Sequence, residues 1–179
     1  YGTLRNGVNV AAEDVDHDGF SEIVTGAGPG DVFGPHVRGF NVDAAVPTPI
    51  SGISFFAYGT LKFGVNVGAG HVDTDTDAEL LTGAGPGPMF GPHIRGWDHD
   101  GAPSQPMPGL SFLASPSGRY GATVASGDVD GDAIEVAHVA CLEVGENAVG
   151  VDDCVALGYG LVEDEGKAVL EALRPATGD

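Results

Sequence analysis

Positive charge is scarce in this chain: 7 Lys and Arg stand against 26 Asp and Glu, a formal net charge of −19. Nucleic-acid binding needs a basic footprint along the phosphates, and none exists here. Anionic membrane surfaces are disfavoured for the same reason. Long apolar runs are missing, so no segment reaches the roughly 20 residues that a membrane-spanning helix needs. Helical spacing of apolar residues is absent before residue 160, which argues against a helical repeat. Cysteine is limited to Cys141 and Cys154. Two thiols leave both their pairing and the redox compartment open. No signal peptide is visible, but Tyr1 already lies inside a repeat, so that absence is weak evidence for the cytosol.

Glycine and proline are abundant instead, at 30 and 12 of 179 residues, enough length for one ordinary domain with a real core. Short β-branched or aromatic runs between turn residues are the profile of an all-β chain. The chain also repeats itself. Residues 1–40, YGTLRNGVNVAAEDVDHDGFSEIVTGAGPGDVFGPHVRGF, match residues 58–97 without a gap, with 25 of 40 positions identical. A third copy begins at the same offset of 57 residues: GISFFAYGTLKFGVNVGAGHVDTD (52–75) aligns with GLSFLASPSGRYGATVASGDVDGD (109–132). A fixed period of this order means an array, solenoid or propeller. The units are therefore 1–57, 58–114 and the start of a third at 115–132, followed by a divergent segment, 133–179.

Four strands are expected per unit, in the first at Val8 to Ala12, Glu22 to Gly26, His36 to Val42 and Ile53 to Tyr58. Four strands in 57 residues is the arithmetic of a propeller blade, a four-stranded antiparallel sheet. Phe55 and Phe56 are adjacent on the last strand, so they point to opposite faces and one of them should meet the next unit.

Acids gather in the turn between the first two strands. In unit one these are Asp14, Asp16 and Asp18, then Gly19, Phe20 and Glu22. Carboxylates at alternate loop positions converge when the chain curls, and such hard oxygen ligands suit calcium. Gly19 permits the turn, the Phe20 carbonyl stands at position 7, and Glu22 at position 9 can close the sphere. This is not an EF-hand, because position 12 is Thr25, in a strand. A single acidic hairpin turn would mean little; its recurrence favours calcium. Unit two keeps Asp73, Asp75 and Glu79, but has His71 at the first position, Thr76 for the glycine and Asp77 in place of Phe20. Calcium seldom takes imidazole, so this site should be weaker or leave that position to water. Unit three restores Asp128, Asp130 and Asp132, with Ala133 after them and Glu135 one residue early.

The Asp ladder, the TGAGPG strand end, the GPHVRGF strand and the SFFAY strand occur in the order seen in FG-GAP/VCBS repeats. Residues 1–132 resemble that family of bacterial secreted and surface proteins, which is similar to the calcium-binding blades of the integrin α-subunit propeller. The resemblance implies β-propeller blades with Ca2+ between the first two strands. It places ligands on Asp14, Asp16, Asp18 and Glu22, and on Asp128, Asp130 and Asp132. His71, Thr76 and Ala133 depart from its pattern.

Two further motifs are read structurally. GAGPG (26–30 and 83–87) lacks the Lys-Ser/Thr of a phosphate loop and is expected to be a turn. His36 with Arg38, and His93 with Arg95, share one face of a strand, where packing or a hydrogen bond between units explains them better than catalysis. In the divergent segment, 134–142 and 154–158 are expected strands and 162–173 an expected helix ended by Pro175.

Two complete units cannot close a ring of four to eight blades, so the units belong to a longer array or to an assembly of several copies. The function expected is a calcium-binding extracellular or cell-surface module for adhesion, recognition or assembly, without catalysis. Its partner would be a protein or carbohydrate, or further copies of itself. The alternative is a propeller segment of a secreted carbohydrate-active or other hydrolytic enzyme. No acid or histidine in 1–132 breaks the repeat symmetry as a catalytic group would, which favours the module.

Overall fold

The computed structural model describes residues 5–88, 91–100, 103–115, 118–128 and, as a strand, 136–141. Ten strands occupy them: β1 Val8–Glu13, β2 Glu22–Ala27, β3 His36–Asn41, β4 Thr48–Phe56, β5 Val65–Gly70, β6 Glu79–Ala84, β7 His93–Asp98, β8 Gln105–Leu113, β9 Ala122–Gly127 and β10 Val136–Cys141. No helix occurs among the described residues, and none of them form an apolar helix long enough to cross a membrane. The expected segments 154–158 and 162–173 lie outside the described residues, as does any pairing of Cys141 with Cys154.

β1 to β4 form one four-stranded antiparallel meander, β5 to β8 a second, and β9 pairs with β10. The described strands do not close a ring. The first three strands of the two complete units match the sequence expectation to within a residue. The fourth is longer, beginning at Thr48 rather than Ile53 and ending before Tyr58. β4 pairs with β3 twice, from Ser54 to Phe56 and again at Thr48 and Pro49, across an irregularity between Arg38 and Phe40. Pro49 is tolerated because β4 is an edge strand, where an absent N–H need not break a ladder.

The sheets stack through the first strand of each unit. Val65 and Val67 of β5 join Val24, Val37, Ile53, Leu80 and Trp97 in one buried cluster. A second cluster repeats the arrangement one unit on, where Leu81, Ile94, Leu110 and Ala114 meet Ala122 of β9. Close approach depends on Gly26 and Gly83: a Cβ on Gly26 would collide with the Val65 carbonyl, and one on Gly83 with the Ala122 carbonyl. The GAGPG motif thus begins inside β2 and β6 rather than being wholly a turn, and its first glycine seats the next sheet.

Polar bonds repeat with the same period. Asn9 Nδ2 donates to the Val65 carbonyl at 2.8 Å, and Asn66 Nδ2 donates to the Ala122 carbonyl at 2.7 Å. The buried Tyr58 hydroxyl lies 2.8 Å from the His93 carbonyl and 2.9 Å from the Thr82 carbonyl. Arg95 Nη1 donates to the Ala57 carbonyl at 2.6 Å, a bond between units. His36 and His93 instead meet Ser54 and Ser111 on their own β4 and β8, at 3.1 and 3.2 Å. Each His–Arg pair thus has partners within the stack, with Arg38 lying over Phe40 and Arg95 over Trp97. Phe55 packs on Trp97 of the next unit, with ring centroids 4.4 Å apart, while Phe56 is 55 % exposed and stacks on His36.

Candidate metal centres

The β1–β2 turn brings Asp14, Asp16 and Asp18 together, one carboxylate oxygen of each lying within 4.8 Å of the others. The loop curls because its own amides bond inward. Asp14 accepts from the Asp18 and Gly19 amides at 3.1 and 3.0 Å, and Asp18 accepts from the Phe20 amide at 2.9 Å. His17 and Gly19 adopt φ of 56° and 90°. This left-handed conformation is natural for Gly and tolerated by His. The Phe20 side chain is exposed. Glu22 lies outside that 4.8 Å grouping, though it feels all three charges, and is fully buried, with Oε2 accepting from the Val15 amide at 3.0 Å and Oε1 enclosed without a partner. Burial raises the Glu22 pKa, assisted by Asp16, Asp18 and Asp14, against the Val15 bond. Burial also raises that of Asp16, with Asp18 and Asp14 adding to it.

The β5–β6 turn brings together Asp73, Asp75 and Glu79, again within 4.8 Å. Asp73 accepts from the Asp75 amide and Asp75 from the Asp77 amide, each at 3.0 Å. Glu79 repeats Glu22: it is fully buried, Oε2 accepts from the Val72 amide at 2.8 Å, and Oε1 has no partner. Its pKa is pushed up to about 8, first by burial and then by Asp73 and Asp75. Asp77 and His71 lie outside this grouping. Asp77 Oδ1 sits instead 3.9 Å from His17 Nδ1 of the first turn, so the two acidic turns are neighbours.

One acidic group was not foreseen from the sequence. Asp98, at the end of β7, and Asp100 beyond it converge with Asp75 within 4.8 Å. Burial raises the Asp98 pKa, as do Asp100, Asp75 and Asp73. The available signal was a departure from the repeat, since Asp98 falls where unit one has Asn41. In the third turn Asp128 is exposed, while Asp130 and Asp132 lie outside the described residues.

These carboxylate clusters can hold a metal ion. Their donors are all hard oxygens, the set that suits calcium or magnesium rather than softer metals. A buried carboxylate oxygen without a hydrogen bond is costly, by about 1–3 kcal/mol or more for a charged group. Glu22 and Glu79 each present one, and a bound cation, or a proton in its absence, would relieve that cost.

No protein-family model, curated protein or solved structure matches the chain.

Proposed function

We propose that this chain is a calcium-binding repeat module of the FG-GAP/VCBS kind, built of propeller-type blades. It serves recognition, adhesion or assembly at the cell surface or outside the cell, without catalysis. The observation that carries the reading is the paired glutamate. Glu22 and Glu79 occupy the same place in successive units, each fully buried, each with one oxygen on a backbone amide and the other unpartnered. An acid preserved only as a surface turn residue would sit in water. Ca2+ would be held by Asp14, Asp16 and Asp18 with Glu22 beside them, and by Asp73, Asp75 and Glu79. Those carboxylates orient it, and it would neutralise their mutual repulsion.

The exposed valines of β1, whose counterparts in β5 are buried against the preceding sheet, offer a face to a further unit, of a longer array or of another copy. Thermal unfolding in calcium and in chelator, at matched ionic strength, tests the metal reading. Free calcium a hundredfold above the dissociation constant should add about 2.7 kcal/mol per site. An unchanged midpoint would make these ordinary acidic turns.

A further inference from the structure

Among the positions at which the second unit departs from the first, two compensate each other. It has His71 where the first has Asp14, and Asp98 where the first has Asn41. Asn41 serves its own turn, its Oδ1 accepting from the Asp43 amide at 3.1 Å. Asp98 likewise meets the amide two residues on, that of Asp100, but its Oδ1 is enclosed and unpartnered. Asp75 belongs to both acidic groups of this unit, one with Asp73 and Glu79 and the other with Asp98 and Asp100. Glu79, wholly buried, supplies the second unpartnered oxygen. The two groups thus meet at Asp75, and Glu79 and Asp98 each keep one enclosed oxygen without the hydrogen bond that burial demands.

The connection carrying Asp98 and Asp100 is held in position. His99 is 2 % exposed and its Nδ1 bonds Ser104 Oγ at 3.2 Å. Ser104 in turn bonds the Gly52 carbonyl of the first sheet through both its amide and its hydroxyl, each at 3.3 Å. Carboxylates on an anchored turn are placed in advance, which lowers the ordering cost of binding.

We infer that the second unit holds one divalent, hard-oxygen cation between its two turns, with Asp98 and Asp100 supplying ligands beside Asp73, Asp75 and Glu79. The β7–β8 connection replaces the carboxylate that His71 removes from the loop. This rests on the calcium reading above and adds to it a ligand source outside the β1–β2-type turn. It also reverses the sequence expectation of a weaker second site, because affinity follows the number of charged ligands and the rigidity of the site.

Calcium titration calorimetry on the full chain, with wild type, D98N/D100N and D43N, tests it. Removing both carboxylates should weaken one class of site about 10-fold or more and leave the first-turn class intact, while D43N should change neither. Thermal midpoints in chelator guard against misfolding. Loss of like charge should leave the midpoint of D98N/D100N equal or higher, while its upward shift on adding calcium becomes smaller. Calcium binding unchanged in D98N/D100N, with one class lost in D75N, would overturn the two-turn site and leave the calcium reading standing. No binding by the wild-type chain would overturn both.

Discussion

β1 and β5 carry the same valines and meet different surroundings. Val65 and Val67 are 0 % and 7 % exposed, whereas Val8 and Val10 are 47 % and 63 % exposed. The turn before each strand shows the same contrast. Gly64 and Gly7 share a φ of 72°, but a Cβ on Gly64 would strike the Ala27 carbonyl, while one on Gly7 would meet nothing within 4 Å. The residues of β1 are therefore those of an interior strand presented at an open face. In a repeat stack, burial is set by the neighbour and not by the strand's own sequence.

The largest effect follows from that contrast. Val67→Asp would place an unpaired carboxylate in the cluster shared by the two sheets, costing about 3–5 kcal/mol. Val10→Asp, on the open face, should stay within about 0.5 kcal/mol. Chemical denaturation of both variants measures the difference. If Val10→Asp cost as much as Val67→Asp, the face would be covered in solution, and sedimentation of the wild type would then reveal an assembly that Val10→Asp disperses.

The two buried glutamates give the next effect, in the metal-free protein. The Glu79 pKa rises from 4.5 unfolded to about 8 folded. Below about 4.5 the group is protonated in both states, and its relative stability is fully present. Between 4.5 and 8 the unfolded chain has released a proton that the folded chain keeps. Stability therefore falls as pH rises, at no more than about 1.4 kcal/mol per pH unit from this group, and the loss is complete above about 8. Glu22 shifts in the same direction. Unfolding in chelator between pH 5 and 8 should show the decline, and Glu79→Gln should flatten more of it than Glu22→Gln. Saturating calcium should also flatten it in the wild type, because the ion stabilises the ionised form. A flat wild-type profile in chelator would mean that Glu79 is ionised without penalty.

What the sequence made legible follows from range. β1 to β3 and β5 to β7 were readable because alternation and bounding turns are local signals. The opposite facing of Phe55 and Phe56 followed from strand geometry alone, and Phe55 on Trp97 with Phe56 exposed agrees with it. The start of β4 was hidden because Pro47 and Pro49 look like a loop, and only pairing with β3 extends the strand. The Asp trio of the first turn was readable from its spacing. Asp98 and Asp100 were not, because they reach Asp75 through the fold, some 23 positions away along the chain. Asp77 shows the limit of spacing from the other side. It stands at position 7, where in an EF-hand loop the backbone carbonyl is the ligand. Its carboxylate lies near His17 of the first unit and outside the unit-two cluster.

The smallest effect tests whether the stack is held in the same way at both junctions. Asn9 and Asn66 each bridge to the next unit through a side-chain amide, at 2.8 and 2.7 Å to carbonyls at the start of β5 and β9. Both asparagines are half-buried and their partners, Val65 and Ala122, are fully buried. Truncation to alanine removes a donor and leaves a buried carbonyl with less hydrogen bonding, at a cost of about 1 kcal/mol. The geometry predicts nearly equal losses for Asn9→Ala and Asn66→Ala, despite the different exposure of their own strands, because each bond faces forward into the following unit. Denaturant midpoints at constant m-value would show this. If Asn9→Ala were neutral and Asn66→Ala were not, the first junction would open independently of the second, and the two sheets would not unfold as one unit. Equal losses that add in the double variant would make each unit–unit contact a separate, repeated increment of stability.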